Sequence, residues 1–146
     1  MPGMLTRNMH NSRLMVDVTL LYAGLLAALM AVLSIRVPIR RGLLNVPYGD
    51  GDDEVLATRV RAFGNFIEYV PMLLVLMALL ELHGAGAGTL HALGSSLVAA
   101  RVLHAVAYRG RPQLSTFEKV GRGVAAMSTW LVLSAAAGLT TAAALG

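Results

Sequence analysis

A chain of 146 residues is one domain's length, and with 56% hydrophobic and 14% charged residues it is too apolar for a soluble domain, where about a quarter carry charge. The formal net charge of +4 does not point to nucleic acid, because the Lys and Arg residues cluster beside long uncharged runs, where they set topology and meet anionic headgroups. Zero cysteines exclude disulfides, a thiolate metal site and a cysteine nucleophile.

In chain order, residues 1–15 are expected to form a disordered polar tail carrying Arg7 and Arg13, with Met15 an alternative start. The run from Val16 to Ile35 is about 20 residues, long enough to span a bilayer. No small-residue cleavage site follows it, so it reads as a retained transmembrane helix, and residues 16–146 as the transmembrane domain. Arg36, Arg40 and Arg41 are expected to end this helix. Gly42 to Glu54 reads as a turn-rich connection, since Pro47, Gly49, Gly51 and the Asp residues each favour turns. A calcium loop does not fit, because Arg61 and Ala62 stand where its closing Glu is needed. No metal site is expected. Asp52 or Asp53 is expected to cap the second helix, with Glu54 near its positive end.

The second helix is expected from Glu54 to His83, closed by the flexible turn Gly84 to Gly88. A third follows from Thr89 to Tyr108, with Gly94, Ser95, Ser96, Ala99 and Ala100 small enough for close packing in lipid. After the basic loop Arg109 to Gln113 comes a fourth, from Ser115 to Ala144. The fold class is therefore all-α, an integral membrane four-helix bundle. Lys and Arg concentrate in and beside the first and third connections. The positive-inside bias puts those loops in the cytoplasm and both termini outside, which for a bacterial inner membrane is the periplasm.

That arrangement gathers polar side chains at one membrane face. Arg61, Asn65 and Glu68 fall at i, i+4 and i+7 on one face of the second helix, and Arg101, His104 and Tyr108 at i, i+3 and i+7 on one face of the third. Arg36 and Arg122 lie at the same depth on the first and fourth. Lipid cannot satisfy such groups, so they either pin helices together or surround a ligand. Several Arg with one Glu suit a small anionic zwitterion, because Arg pairs with carboxylates and Glu accepts from an ammonium. Spacing alone does not name it; a dianion or a lipid headgroup fits as well. One subunit is expected to be too small to hide Arg36, Arg61, Glu68 and Arg101 from lipid, which calls for an oligomer.

The residues that form this constellation also resemble a known family. Arg61-Ala62, Asn65, Glu68 and Pro71 are similar to the second-helix motif of the membrane-associated proteins in eicosanoid and glutathione metabolism, the MAPEG family. Arg101-Val102-Leu103-His104-Ala105-Val106-Ala107-Tyr108 resembles the third-helix motif, and Tyr48-Gly49-Asp50-Gly51-Asp52-Asp53 the Gly-Asp-Gly loop of bacterial members. Arg122, followed by Thr129-Trp130-Leu131, looks like the fourth-helix Arg. The similarity covers about residues 18 to 140. It implies a homotrimeric four-helix bundle that binds glutathione between subunits near the cytoplasmic face. It further implies transferase or peroxidase activity on lipophilic small molecules that partition from the membrane lipids. By this resemblance Arg61, Asn65, Glu68 and Tyr108 hold glutathione, with Arg101 and His104 beside them. Arg36 reaches in from a neighbour, and Arg122 stabilises the thiolate. Phe63 stands where members often have His, and Gly64 where those with prostaglandin E synthase activity have a further Arg, which argues against eicosanoid chemistry. A non-catalytic lipid-binding or scaffold protein is the alternative within the same fold.

Overall fold

The computed structural model describes residues 16–108 and 115–146. The expected tail over residues 1–15 and the basic loop positions Arg109 and Arg111 lie outside them. The described residues form four α-helices: α1 (Asp17–Leu44), α2 (Glu54–Leu82), α3 (Ala87–Ala107) and α4 (Thr116–Leu145). Each is long and apolar enough to cross a bilayer. The shortest, α3, has 21 residues and is about 32 Å long, close to the thickness of a hydrocarbon core. The other three have 28, 29 and 30 residues, so each carries roughly a third of its length beyond a span of about 20 residues.

Those extra turns correct one expectation. Arg36, Arg40 and Arg41 do not end α1, which continues to Leu44 with Pro38 inside it. Charge ends the lipid-facing stretch but not the helix, because Arg is a good helix former and water or headgroups receive its guanidinium. The helix stops at Asn45, which takes the left-handed conformation at φ 54°, while the Val46 N–H donates to the Arg41 carbonyl at 3.1 Å. The connection to α2 is thus shorter than expected. Gly51 in it has φ 58° and sits against the Val46 side chain, where a Cβ would collide.

Asp53 is the residue that caps α2. Its carboxylate accepts from the Leu56 N–H at 2.7 Å and also from Arg40 through Nε at 3.1 Å and Nη2 at 2.7 Å. The same carboxylate therefore starts one helix and ties it to the previous one. Arg40 donating into it holds the Asp53 carboxyl below the usual carboxylate range, against a smaller opposing effect of burial. Ser115 begins α4 with a capping box: its hydroxyl accepts from the Glu118 N–H at 3.2 Å, and Glu118 accepts from the Ser115 N–H at 2.9 Å.

At the opposite end of the bundle, Glu81 near the end of α2 accepts from the Val18 and Thr19 N–H groups, both at 2.8 Å. It satisfies donors that the start of α1 cannot pair within its own helix. Beside it the Tyr22 hydroxyl lies 3.0 Å from His91 Nδ1 and donates to the His91 carbonyl at 3.2 Å. The Tyr22 ring packs against Gly94, leaving no room for a Cβ, so α1 and α3 approach closely there.

Between these ends the core is apolar. Leu26 and Leu33 of α1, Phe66, Leu73 and Met77 of α2, Leu97 of α3 and Val132 and Ala136 of α4 are buried together. Leu20, Leu25, Ile35, Val75, Val102 and Leu131 point outward, as side chains facing lipid do. α2 and α3 each touch the other three helices, whereas α1 and α4 do not touch each other among the described residues. That leaves α1 and α4 at opposite corners of the bundle.

Candidate functional site

The end of the bundle where α1 and α3 finish and α2 and α4 begin carries the polar constellation. On α2, Arg61, Asn65 and Glu68 follow one stripe, as their spacing requires. Arg61 Nη1 lies 3.7 Å from Glu68 Oε1, with side-chain exposures of 65% and 48%. Two opposite charges this open to solvent attract each other weakly and remain available to an incoming ion. Asn65 sits between them in sequence but turns inward, where its Oδ1 accepts from Arg101 Nη1 at 2.7 Å.

Arg101 corrects a second expectation. A single subunit does bury it: the residue is 2% exposed and needs no neighbour to hide it from lipid. Its Nη2 donates to the Thr129 hydroxyl of α4, which in turn donates to the Ala125 carbonyl at 2.8 Å. The guanidinium thus bridges α2, α3 and α4. Its Nε has no hydrogen-bond partner among the described residues. Sequence reasoning did not identify Thr129 as this partner. The signal was its i, i+7 spacing from Arg122, which puts both on one face of α4.

A second group lies closer to the helix ends. The His104 and Tyr108 rings stack with centroids 4.2 Å apart and planes 23° from parallel. Arg122 places its guanidinium carbon 4.1 Å from the Tyr108 ring centroid. Its Nε donates to the Ala107 carbonyl at 3.1 Å, which fills one of the acceptors left open at the end of α3. Neither terminal nitrogen of Arg122 bonds to a described residue. Close packing allows this arrangement, since Gly121 brings α4 against Ala107 and Leu103.

Seven of the expected residues therefore gather at this end from three helices: Asn65 bonded to Arg101, His104 and Tyr108 stacked beneath Arg122, and Arg61 paired with Glu68 on the rim. Arg36 is different. It sits on α1, its carbonyl accepts from Arg59 Nη1 at 2.9 Å, and α1 does not touch α4, so one subunit does not bring it to Arg122. Beside Arg61 opens a cleft of about 350 Å³ lined by Arg41, Gly49, Asp50, Ala57 and Val60, a volume that small ligands occupy.

Chemically the site offers two accessible cations, Arg61 and Arg122, one accessible carboxylate, Glu68, and a buried third cation, Arg101. The net balance favours an anion, and the single carboxylate provides one place for an ammonium. This donor set fits a small zwitterion with more than one carboxylate. Among the described residues no group of His, Asp and Glu is arranged to hold a metal ion.

Comparison with known proteins agrees with the motifs. Residues 19–142 match the model of the MAPEG family. Over 94 residues the chain is 37% identical to Inner membrane protein YecN of Escherichia coli strain K12, covering 64% of this chain and 72% of that protein. The protein of that name from Escherichia coli O6:H1 matches to the same extent. No solved structure matches the chain.

Proposed function

The chain belongs to the MAPEG family, and on that premise we propose that this membrane protein is a glutathione-dependent transferase or peroxidase acting on lipophilic electrophiles. The observation that carries the reading is Arg122, held by the Ala107 carbonyl and the Tyr108 ring, with its terminal nitrogens bonded to no described residue and so available to an anion. A cation fixed in this way favours the charged form of a nearby thiol and lowers its pKa. Glutathione supplies the nucleophilic sulfur, which a chain without cysteine lacks. Arg61 pairs with a carboxylate, Glu68 accepts from the ammonium, and Asn65 adds a hydrogen bond. His104 and Tyr108 form the wall on which Arg122 rests.

A homotrimer would complete the site: among the described residues Arg36 makes no contact with Arg122 within one subunit, and a neighbouring α1 packed against α4 would deliver it. The relatives named above are inner membrane proteins by name, and the charge distribution supports a site at the cytoplasmic face with both termini periplasmic. The second reading, a non-catalytic lipid-binding protein, draws support from an apolar trough of about 330 Å³ between α3 and α4, lined by Leu103, Phe117, Val120 and Val124.

Calorimetry with glutathione on detergent-purified protein tests the first reading. Micromolar to millimolar binding is expected, and its absence would leave the lipid-binding reading in its place. Crosslinking in native membranes is expected to give a trimer band, and a monomer there and in mild detergent alike would refute the shared site. A reporter active only in the cytoplasm, fused after Gly146, is expected to stay silent; activity would reverse the orientation.

A further inference from the structure

We infer that Arg101 is a positioning residue acting through Asn65: it turns the Asn65 amide so that the NH₂ group, not the carbonyl, is presented to the ligand. The inference rests on the reading of Asn65 as a glutathione contact.

A carboxamide has a carbonyl at one end and an NH₂ at the other, and half a turn of the side chain exchanges them. Nothing within Asn65 prefers one orientation. Arg101 decides it, because a guanidinium has donors and no acceptor and can bond only the oxygen, as it does at 2.7 Å. Arg101 is itself held in place. The Thr129 hydroxyl spends its one proton on the Ala125 carbonyl, so its oxygen is left to accept from Arg101 Nη2. The chain of donors runs in one direction, from Arg101 outward to Asn65 and to Thr129, and no member can reverse without breaking a bond. The Asn65 amide nitrogen is left without an acceptor among the described residues, on a half-buried side chain flanked by Arg61 and Glu68.

Charge acts in the same direction. The described residues form two ion pairs, Arg40–Asp53 and Arg61–Glu68, and neither includes Arg101. Its Nε is buried without a partner among the described residues. An unpaired positive charge behind the Asn65 amide favours an acceptor bearing negative charge in front of it. The geometry therefore assigns to Asn65 a carboxylate or a peptide carbonyl of the ligand rather than its ammonium, which falls to Glu68. Arg101 touches neither.

The competing explanation is that Arg101 only pins three helices together. A double-mutant cycle on glutathione affinity separates the two. Asn65→Ala is expected to weaken binding roughly tenfold to a hundredfold, the scale for one hydrogen bond to a charged group. If Arg101 acts through Asn65, Arg101→Gln weakens binding by a similar factor, and the double variant by no more than either alone. Losses that multiply would overturn the inference. Because Arg101→Gln removes a buried bridge and can fail to fold, Asn65→Asp provides an independent test. An Asp there fits the Arg101 fork and keeps the melting temperature at or above wild type, yet has no NH₂ to donate. Its glutathione affinity is expected to drop at least tenfold. Retained affinity, or a loss accompanied by a fall in melting temperature, would overturn the inference. No binding by wild type would remove the glutathione reading and this inference together, whereas binding by wild type with multiplying losses removes this inference alone.

Discussion

Arg122→Ala separates chemistry from binding and from stability more cleanly than any other change in this chain. In the folded protein the guanidinium does two structural things: Nε donates to the Ala107 carbonyl at 3.1 Å, and the plane covers the Tyr108 ring at 4.1 Å. The hydrogen bond contributes about 1 kcal/mol and the cation–π contact about 0.5–1 kcal/mol, so the variant should lose about 1.5–2 kcal/mol of stability and still fold. The functional loss should be larger. Removing one electrostatic stabiliser of a reacting anion costs on the order of 10²-fold in rate. Glutathione affinity should fall only a few-fold, because Arg61, Asn65 and Glu68 remain. Arg122→Lys keeps the charge but cannot lie flat on Tyr108 while bonding Ala107, and should give an intermediate rate. The assay is a chromogenic conjugation rate beside calorimetric affinity, with thermal unfolding in detergent to measure the structural part. Full rate in Arg122→Ala would show that Arg122 does not face the thiol, and Arg109 or Arg111 would become the next candidate. An equal fall in rate and affinity would place Arg122 on a carboxylate instead.

Other changes should fail in other ways. Glu68→Gln removes the acceptor for the ammonium and frees Arg61 from its only carboxylate among the described residues, so calorimetric affinity should weaken by about 1–3 kcal/mol with little change in melting temperature. Gly94→Leu drives a side chain into the Tyr22 ring and should lower stability by about 1–3 kcal/mol or more. Gly138→Leu, in open space on α4, should not, and equal melting temperatures would refute the close approach of α1 and α3. The Asp53 carboxyl titrates below its unfolded value, so its contribution is fully present above the usual carboxylate range, including at pH 7, and is lost as pH falls through the lowered value. Thermal unfolding should therefore show an acid-side loss of stability below about pH 4 that is smaller in Asp53→Asn, and identical acid profiles would refute the shared cap and ion pair.

Much of this protein is present in its linear order. Four apolar runs of spanning length determine four helices, because in lipid every backbone N–H and C=O must pair within the segment. Helical spacing puts Arg61, Asn65 and Glu68 on one stripe, and Arg101, His104 and Tyr108 on another, whatever the helices pack against. Where α1 stops was not legible in its charges, since Arg36, Arg40 and Arg41 mark the edge of lipid and the helix ends only at the left-handed Asn45. Nor could spacing tell which polar residues face inward. Arg61 and Arg101 read alike in sequence, yet one is exposed and the other buried. That difference arises because α3 packs against both α2 and α4, close enough for one guanidinium to reach Asn65 and Thr129 at once. The partner hydroxyl lies 28 residues further along the chain, and only the packing of the three helices brings it into hydrogen-bonding range.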